Sequence, residues 1–293
     1  MIKKVIIIFL SLFVGYNGLA FIKKWPSKAV TQWEDNNRLI DKYLFECDHL
    51  KVNTVVVGSS MAFRMTASQN PCFDSVYNLS LGGQGLFDGL EVLKRSEQKP
   101  KYLFIESNVL YRLPRNGYAA SFFVPGVYQL KKVFPGMREN FKPITLIQYL
   151  YYGVGGIFVT HINMPDIKDK EHASKKVKHD STTNSVKAKI SDRTLEVFDK
   201  LLKESNWSTI VEKLKGYTDY FSRHGTKLIF FEMPTESVAL ESNLNAFIRN
   251  TFQRDFQSDL FVKARAMSTT DGVHLTLTDA NAFLSELLMR GRK

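Results

Sequence analysis

The sequence predicts an α/β fold organised around a parallel sheet, and three observations carry that reading. Short apolar runs at 54–57, 75–81 and 102–106 each stop at small or polar residues. Segments with helical spacing follow the first two, as at Met61 to Met65 and at Leu86, Leu90 and Leu93. After a long polar stretch the pattern returns, with a fourth run at 227–234 and a final helical segment at 279–289. Strands alternating with helices are the pattern of a parallel sheet covered by helices.

The chain begins with a separate element. Lys3 and Lys4 precede an apolar run from Val5 to about Ile22, closed by Lys23, Lys24 and Trp25. The run sits near the lower length limit for a membrane-spanning helix. It also resembles a secretory h-region, but Gly18-Leu19-Ala20 is a poor cleavage site. The reading is an uncleaved signal anchor over residues 1–24, single-pass in the inner (cytoplasmic) membrane, with the body of the protein on the extracytoplasmic, periplasmic side. Residues 25–50 read as a juxtamembrane helical segment, with Trp33, Leu39, Ile40, Tyr43 and Leu44 at roughly helical spacing. Residues 51–293 form the α/β body, with a basic, partly irregular insertion at about 112–206.

Within the body, Thr54-Val55-Val56-Val57 reads as a buried strand, and Gly58 as a tight turn that delivers Ser59 and Ser60 to the sheet's C-terminal edge. Open α/β sheets keep their sites at that edge. The second strand, Ser75 to Leu81, runs into Gly82-Gly83-Gln84-Gly85, and the third, Tyr102 to Glu106, ends at Ser107-Asn108. The insertion holds two aromatic-rich, partly helical stretches, Ser121 to Val133 and Ile144 to Val159, then a lysine-rich loop from Met164 to Arg193. Trp207 to His224 reads as a helix capped by Gly225, Lys227 to Pro234 as the fourth strand, and a further helix lies within Ser242 to Phe252.

Composition excludes little but sets bounds. The 293 residues are 44% hydrophobic, enough for one substantial domain, and the formal net charge is +11. A basic balance suits nucleic acid, anionic lipid or acidic glycan equally. No zinc-finger spacing or basic-region helix selects nucleic acid, so none is assigned. Cys47 and Cys72 lack CxxC spacing; they are either one disulfide or two buried thiols. His161, His172, His179 and His224 have no companions at metal-ligand spacing, so no metal and no cofactor are assigned.

Chemistry enters through Asp271-Gly272-Val273-His274. An Asp three residues before a His on one loop can hold one imidazole nitrogen and leave the other free as a base. Ser60 then becomes a candidate nucleophile. Three other polar residues receive structural readings: Asn78 as an Asx-turn residue, Arg64 as an exposed helix position, and Glu232 as the partner of a nearby cation.

The order of these blocks resembles the SGNH (GDSL-like) hydrolase superfamily. The nucleophile block is matched by Gly58-Ser59-Ser60, the glycine block by Asn78 to Gly83, the asparagine block by Glu106-Ser107-Asn108, and the last block by Asp271 to His274. The resemblance spans Thr54 to Leu288 apart from the insertion. It implies a three-layer, flavodoxin-like domain with a parallel sheet beside the one N-terminal transmembrane helix. It also implies a triad of Ser60, His274 and Asp271, and an oxyanion hole of Ser60, Gly83 and Asn108. Two departures stand out: Ser59 replaces the usual Asp, and Ser107 and Val109 replace the usual Gly and Asp. The Gly-Ser-Ser form looks like the membrane-attached branch involved in bacterial polysaccharide O-acetylation. That branch implies acyl, foremost acetyl, transfer to hydroxyls of an extracytoplasmic glycan, with a multi-pass membrane protein as acyl donor. The alternatives are a carbohydrate or lipid esterase using the same triad, and a catalytically silent glycan-binding or assembly subunit.

Overall fold

The computed structural model describes residues 2–22, 31–47, 51–65, 75–114, 117–142, 195–235, 241–256, 261–265, 267, 269–270 and 274–291. By contact they fall into two compact units. One comprises Met1–Asp41 and Val124–Thr183, the other Lys42–Phe123 and Asn184–Lys293.

The second unit carries the sheet. Its strands are β1 (Thr54–Val57), β2 (Val76–Asn78), β3 (Tyr102–Glu106), β4 (Lys227–Phe231) and β5 (Phe261–Val262). Their order is β2-β1-β3-β4-β5, and every pairing is parallel. The fold is therefore α/β with a parallel sheet. The chain runs from β1 outward to β2 on one side, then crosses back over β1 to β3 on the other, so its direction reverses at β1. A crevice opens at such a reversal, at the C-terminal ends of the strands.

The β-branched run of β1 suits this central place, where a strand is covered on both faces and needs no polar side. Val55, Val56 and Val57 have no exposed surface. One face packs on α9 (Leu277–Gly291), where Phe283, Leu284, Leu287 and Leu288 meet Val56, Phe104, Ile229 and Phe231. On the alternate face of β4, Phe230 packs on Phe252 of α8 (Asn243–Asp255), ring centroids 4.5 Å apart and tilted by 44°. Two further helices, α4 (Leu86–Arg95) and α7 (Trp207–Arg223), contact β1 and β4 respectively. Short helices α3 (Ser60–Phe63) and α5 (Tyr118–Ser121) complete the described part of this unit, with a helical stretch at 195–204.

β1 and β3 run where the sequence puts them, to the residue, and β2 and β4 are shorter. β2 ends at Asn78 rather than Leu81, because the Asn78 side chain accepts the Ser80 N–H at 3.0 Å and turns the chain. β4 ends at Phe231 because the Met233 N–H is taken by the Asn108 side chain at 2.6 Å. β5 has two residues, too few to show any period.

The first unit is built on α1 (Ile2–Ile22), which is long and apolar enough to cross a membrane. Near its C-terminal end it meets the turns Pro135–Met137 and Glu139–Phe141. Asn17 Oδ1 accepts the Gly136 N–H at 2.8 Å, the Tyr16 hydroxyl donates to the Phe141 carbonyl, and Phe13 packs on Phe134. Asp41, in the unit's share of α2 (Gln32–Phe45), is buried. It accepts from Lys131 at 2.9 Å and from the Glu139 N–H at 2.8 Å. Helix α6 (Pro125–Val133) precedes these turns. The aromatic stretch 144–159, the lysine-rich loop 164–193 and Cys72 lie outside the described residues.

Candidate active site

The exit of β1 separates the two adjacent serines. Ser59 is extended at φ −102° and caps α3, its Oγ accepting the Met61 N–H at 3.2 Å. Its side chain is buried and turned inward. The Ser59 N–H donates to Glu106 Oε2 at 2.7 Å, and the Ser59 hydroxyl donates to Oε1 at 3.0 Å. Ser60 is the first residue of α3 and only half-buried. Its Oγ lies 3.1 Å from His274 Nε2, across 214 residues of chain. A serine hydroxyl within hydrogen-bond reach of an imidazole is the minimal pairing for nucleophilic catalysis.

Glu106 is the last residue of β3 and has no exposed surface. Burial pushes its carboxyl up to about 7, against the donors from Ser59 and Ala62 and the charge of Arg112, which pull it down. Burial wins because a charge removed from water costs more than three hydrogen bonds return. Gly58 is shaped by the same carboxyl. A Cβ placed there would stand 2.3 Å from Glu106 Oε2 and 2.8 Å from Ala62 Cβ.

His274 sits on the segment before α9, held from two sides. Its carbonyl accepts the Thr270 N–H at 2.8 Å and the Thr270 hydroxyl at 3.0 Å. Arg64, one residue past α3, donates through Nη1 to the Leu275 carbonyl at 2.8 Å and to Thr270 Oγ1 at 3.1 Å. Arg64 therefore links the helix that begins at Ser60 to the segment that carries His274, a role its exposed-helix reading missed.

A cavity of about 330 Å³ opens over the pair. Ser60, His274 and Asn108 line it, together with Tyr111, Arg112, Phe198, Thr235 and Asn245. The Asn108 amide is fixed by the backbone beyond β4: it accepts from the Met233 N–H at 2.6 Å and donates to the Met233 carbonyl at 3.3 Å. An amide nitrogen carries two hydrogens, so one remains beyond that bond. The Ser60 N–H, at the start of a helix, has no partner within the helix.

Gly83 lies in the exposed turn after β2 at φ 67°, a left-handed conformation that favours glycine. The Leu81 N–H donates to the Gly58 carbonyl at 3.0 Å, which brings this turn to the same sheet edge. Gly83 is not among the residues lining the cavity. Asp271 lies outside the described residues. Asn78 has the turn role read for it and a second one, since its Nδ2 donates to the Ala62 carbonyl at 2.7 Å and ties the end of α3. Glu232 has the cation read for it: Arg249 Nη2 donates to Oε1 at 2.7 Å.

Sequence reasoning named Ser60, His274 and Asn108 but missed Glu106 as the anchor of the turn, and Tyr111, Arg112, Thr235 and Asn245 as lining. A signal existed for Glu106 and Thr235, which fall at or just beyond the C-terminal ends of strands. Nothing in the pattern marks Asn245. Among the described residues no cluster of ligands that could hold a metal ion occurs. Comparison with protein-family models, curated proteins and solved structures finds no match.

Proposed function

We propose that this chain is a membrane-attached serine O-acyltransferase of SGNH type that passes an acyl group, foremost acetyl, to hydroxyls of an extracytoplasmic glycan. The observation that carries the proposal is the 3.1 Å approach of His274 Nε2 to Ser60 Oγ at the C-terminal edge of a parallel sheet. In the first half-reaction Ser60 Oγ attacks the carbonyl of an acyl donor and its proton passes to His274 Nε2. The oxyanion is held by the Ser60 N–H, the Asn108 amide and, by resemblance, the Gly83 N–H. Removing one such donor costs about 10²–10³ in rate. The donor's alcohol leaves with the proton from His274, and the acyl group stays on Ser60 as an ester. In the second half-reaction a glycan hydroxyl gives its proton to His274 as it attacks the acyl carbon, the bond to Ser60 Oγ breaks, and His274 returns the proton to Ser60 Oγ. Asp271 is the carboxylate assigned to hold the imidazole. The acyl donor is assigned to a separate multi-pass membrane protein, and α1 to the inner membrane, with the catalytic unit on its extracytoplasmic side.

The test uses the full chain in detergent with p-nitrophenyl acetate and a fluorophosphonate probe. The wild type is expected to release p-nitrophenol and to label at Ser60, and Ser60→Ala to do neither. Acetyl content of the surface glycan is expected to fall when the gene is deleted. A rise in acetyl content overturns transfer in favour of hydrolysis. Turnover and labelling that survive Ser60→Ala overturn the serine mechanism.

A further inference from the structure

Arg112 lines the cavity over Ser60 and His274, yet the acyl transfer proposed above gives it no task. It stands in the turn beyond β3, and its backbone is fixed there from two sides. The Arg112 N–H donates to the Val109 carbonyl at 3.0 Å. The Arg112 carbonyl lies so near Gly85 that a Cβ there would stand 2.5 Å from it. The guanidinium carbon lies 5.8 Å from the Tyr111 ring centroid, within cation–π range. The root of the side chain is thus held, and its head rests by an aromatic ring.

The charge of that head is not matched by the protein. Among the described residues the Arg112 guanidinium makes no ion pair and no hydrogen bond. Arg249 and Arg64 differ in this, for one is paired with Glu232 at 2.7 Å and the other donates to the Leu275 carbonyl at 2.8 Å. Glu106 feels the charge of Arg112, but it has no exposed surface and its oxygens accept from Ser59. None of the described residues that line the cavity is acidic. A guanidinium presents its N–H donors in a planar fork that meets a carboxylate through two parallel bonds. One already steadied by a ring loses less freedom when it does so.

The rest of the lining suits a sugar. Asn108, Tyr111, Thr235 and Asn245 bring neutral polar groups of the kind that hydroxyls meet, and Phe198 brings an apolar face. At about 330 Å³ the cavity is at the small end of ligand sites, which run from about 300 to about 1,000 Å³. The group at Arg112 and the hydroxyl at Ser60 therefore belong to one sugar unit or to two adjacent ones. A transferred acetyl group is neutral, so the charge comes with the alcohol side of the ester.

We infer that Arg112 binds the carboxylate of an acidic sugar, and that the glycan presenting its hydroxyl to Ser60 is of the uronic acid type. The fate of the hydroxyl rests on the acyltransferase reading, whereas the anion site rests on the cavity alone.

The test uses the full chain in detergent at about 0.15 M salt, where long-range attraction to a basic chain is screened. Calorimetry on Ser60→Ala compares trigalacturonate with its trimethyl ester, which has the same sugars and no charge. The acid is expected to bind at least about tenfold more tightly than the ester. Adding Arg112→Gln is expected to bring the two within about twofold. Arg112→Lys is expected to leave an intermediate preference, because an ammonium keeps the charge without the fork. Lys215→Gln, on α7 and outside the cavity lining, is expected to change nothing. Failure to distinguish acid from ester, or a preference that survives Arg112→Gln, overturns the inference. So does an equal loss with Lys215→Gln, which would mean attraction to the basic surface at large. Fluorophosphonate labelling of the wild type reads the serine mechanism separately. A labelled Ser60 without the preference overturns the acidic acceptor and leaves the serine mechanism standing. An Arg112-dependent preference without labelling sustains the anion site while the acyltransferase reading fails.

Discussion

Glu106→Gln separates what the buried carboxyl contributes by shape from what it contributes by charge. Glutamine matches the neutral acid in size and keeps an acceptor for the Ser59 N–H, which now sits 2.7 Å from Oε2. Its amide can donate to Ser59 Oγ in place of the present bond. The substitution therefore removes a titration and little else. The folded carboxyl titrates at about 7 against an ordinary 4.5, so between these values the folded chain holds a proton that the unfolded chain has lost. Stability then falls as pH rises through that window, is unaffected by Glu106 below it, and carries the full penalty above it. At about 1.4 kcal/mol per pH unit the interval is worth about 3 kcal/mol. For a chain of this size that is about 6 °C of melting temperature.

The assay is thermal unfolding of the full chain in detergent from about pH 4 to about pH 8, wild type against Glu106→Gln, because the difference cancels every other titrating group. The variant is expected to match the wild type at the acid end and to melt about 6 °C higher at the alkaline end. Two parallel curves would refute the argument, since Glu106 would then have the same affinity for protons folded and unfolded. A variant less stable than wild type at the alkaline end would mean that the carboxylate is stabilised by its donors and that burial does not dominate.

Two further substitutions probe the same frame. Arg64→Ala removes the bonds to Thr270 and Leu275 that bracket His274. It is expected to lower kcat on p-nitrophenyl acetate about tenfold with KM nearly unchanged, the effect of a catalytic group that is present but less often in place; an unchanged kcat would show that the loop holds without it. Gly58→Ala drives a methyl group into Glu106 and Ala62 and is expected to cost about 3 kcal/mol, read as a lower melting temperature. In combination with Glu106→Ala the loss should be smaller than the sum of the two, because the shorter side chain removes the nearest obstacle, and strict additivity would count against that contact.

How much of this was legible in the sequence depends on the range of the interaction concerned. Thr54–Val57 and Tyr102–Glu106 were legible to the residue, because a strand buried on both faces must be apolar throughout and must stop where polar residues begin. The ends of β2 and β4 were not, because each is set by a side chain, Asn78 or Asn108, that takes over a backbone group. Ser60 and His274 were legible as a pair through the order of four short blocks, although each block alone was weak. Arg64 was not: its partners lie more than two hundred residues away, and no local pattern announces which exposed arginine will bridge to a distant loop. Asn245 was hidden for the same reason, being a polar residue in a helix whose proximity to the cavity is fixed only by how that helix packs.

The turn after β1 has a second reason for its glycine that no local reading could show. Gly58 reads in sequence as a tight strand-to-helix turn, and it does stand between β1 and α3. The positive-φ glycines of the described chain are Gly83, Gly117 and Gly225, and Gly58 is not one of them. Glycine is required at 58 by proximity, because the Glu106 carboxyl occupies the space a Cβ would need. That carboxyl stands there because Ser59 gives it two donors. Gly58, Ser59 and Glu106 are thus one choice rather than three. A carboxylate at position 59 would face Glu106 at the distance now spanned by hydrogen bonds, and two buried acids so close cannot both ionise. Once the acid sits at the end of β3, the residue before Ser60 must be a small donor, and the residue before that must have no side chain. The outcome fixes Ser59 inward and leaves Ser60 as the hydroxyl free to meet His274.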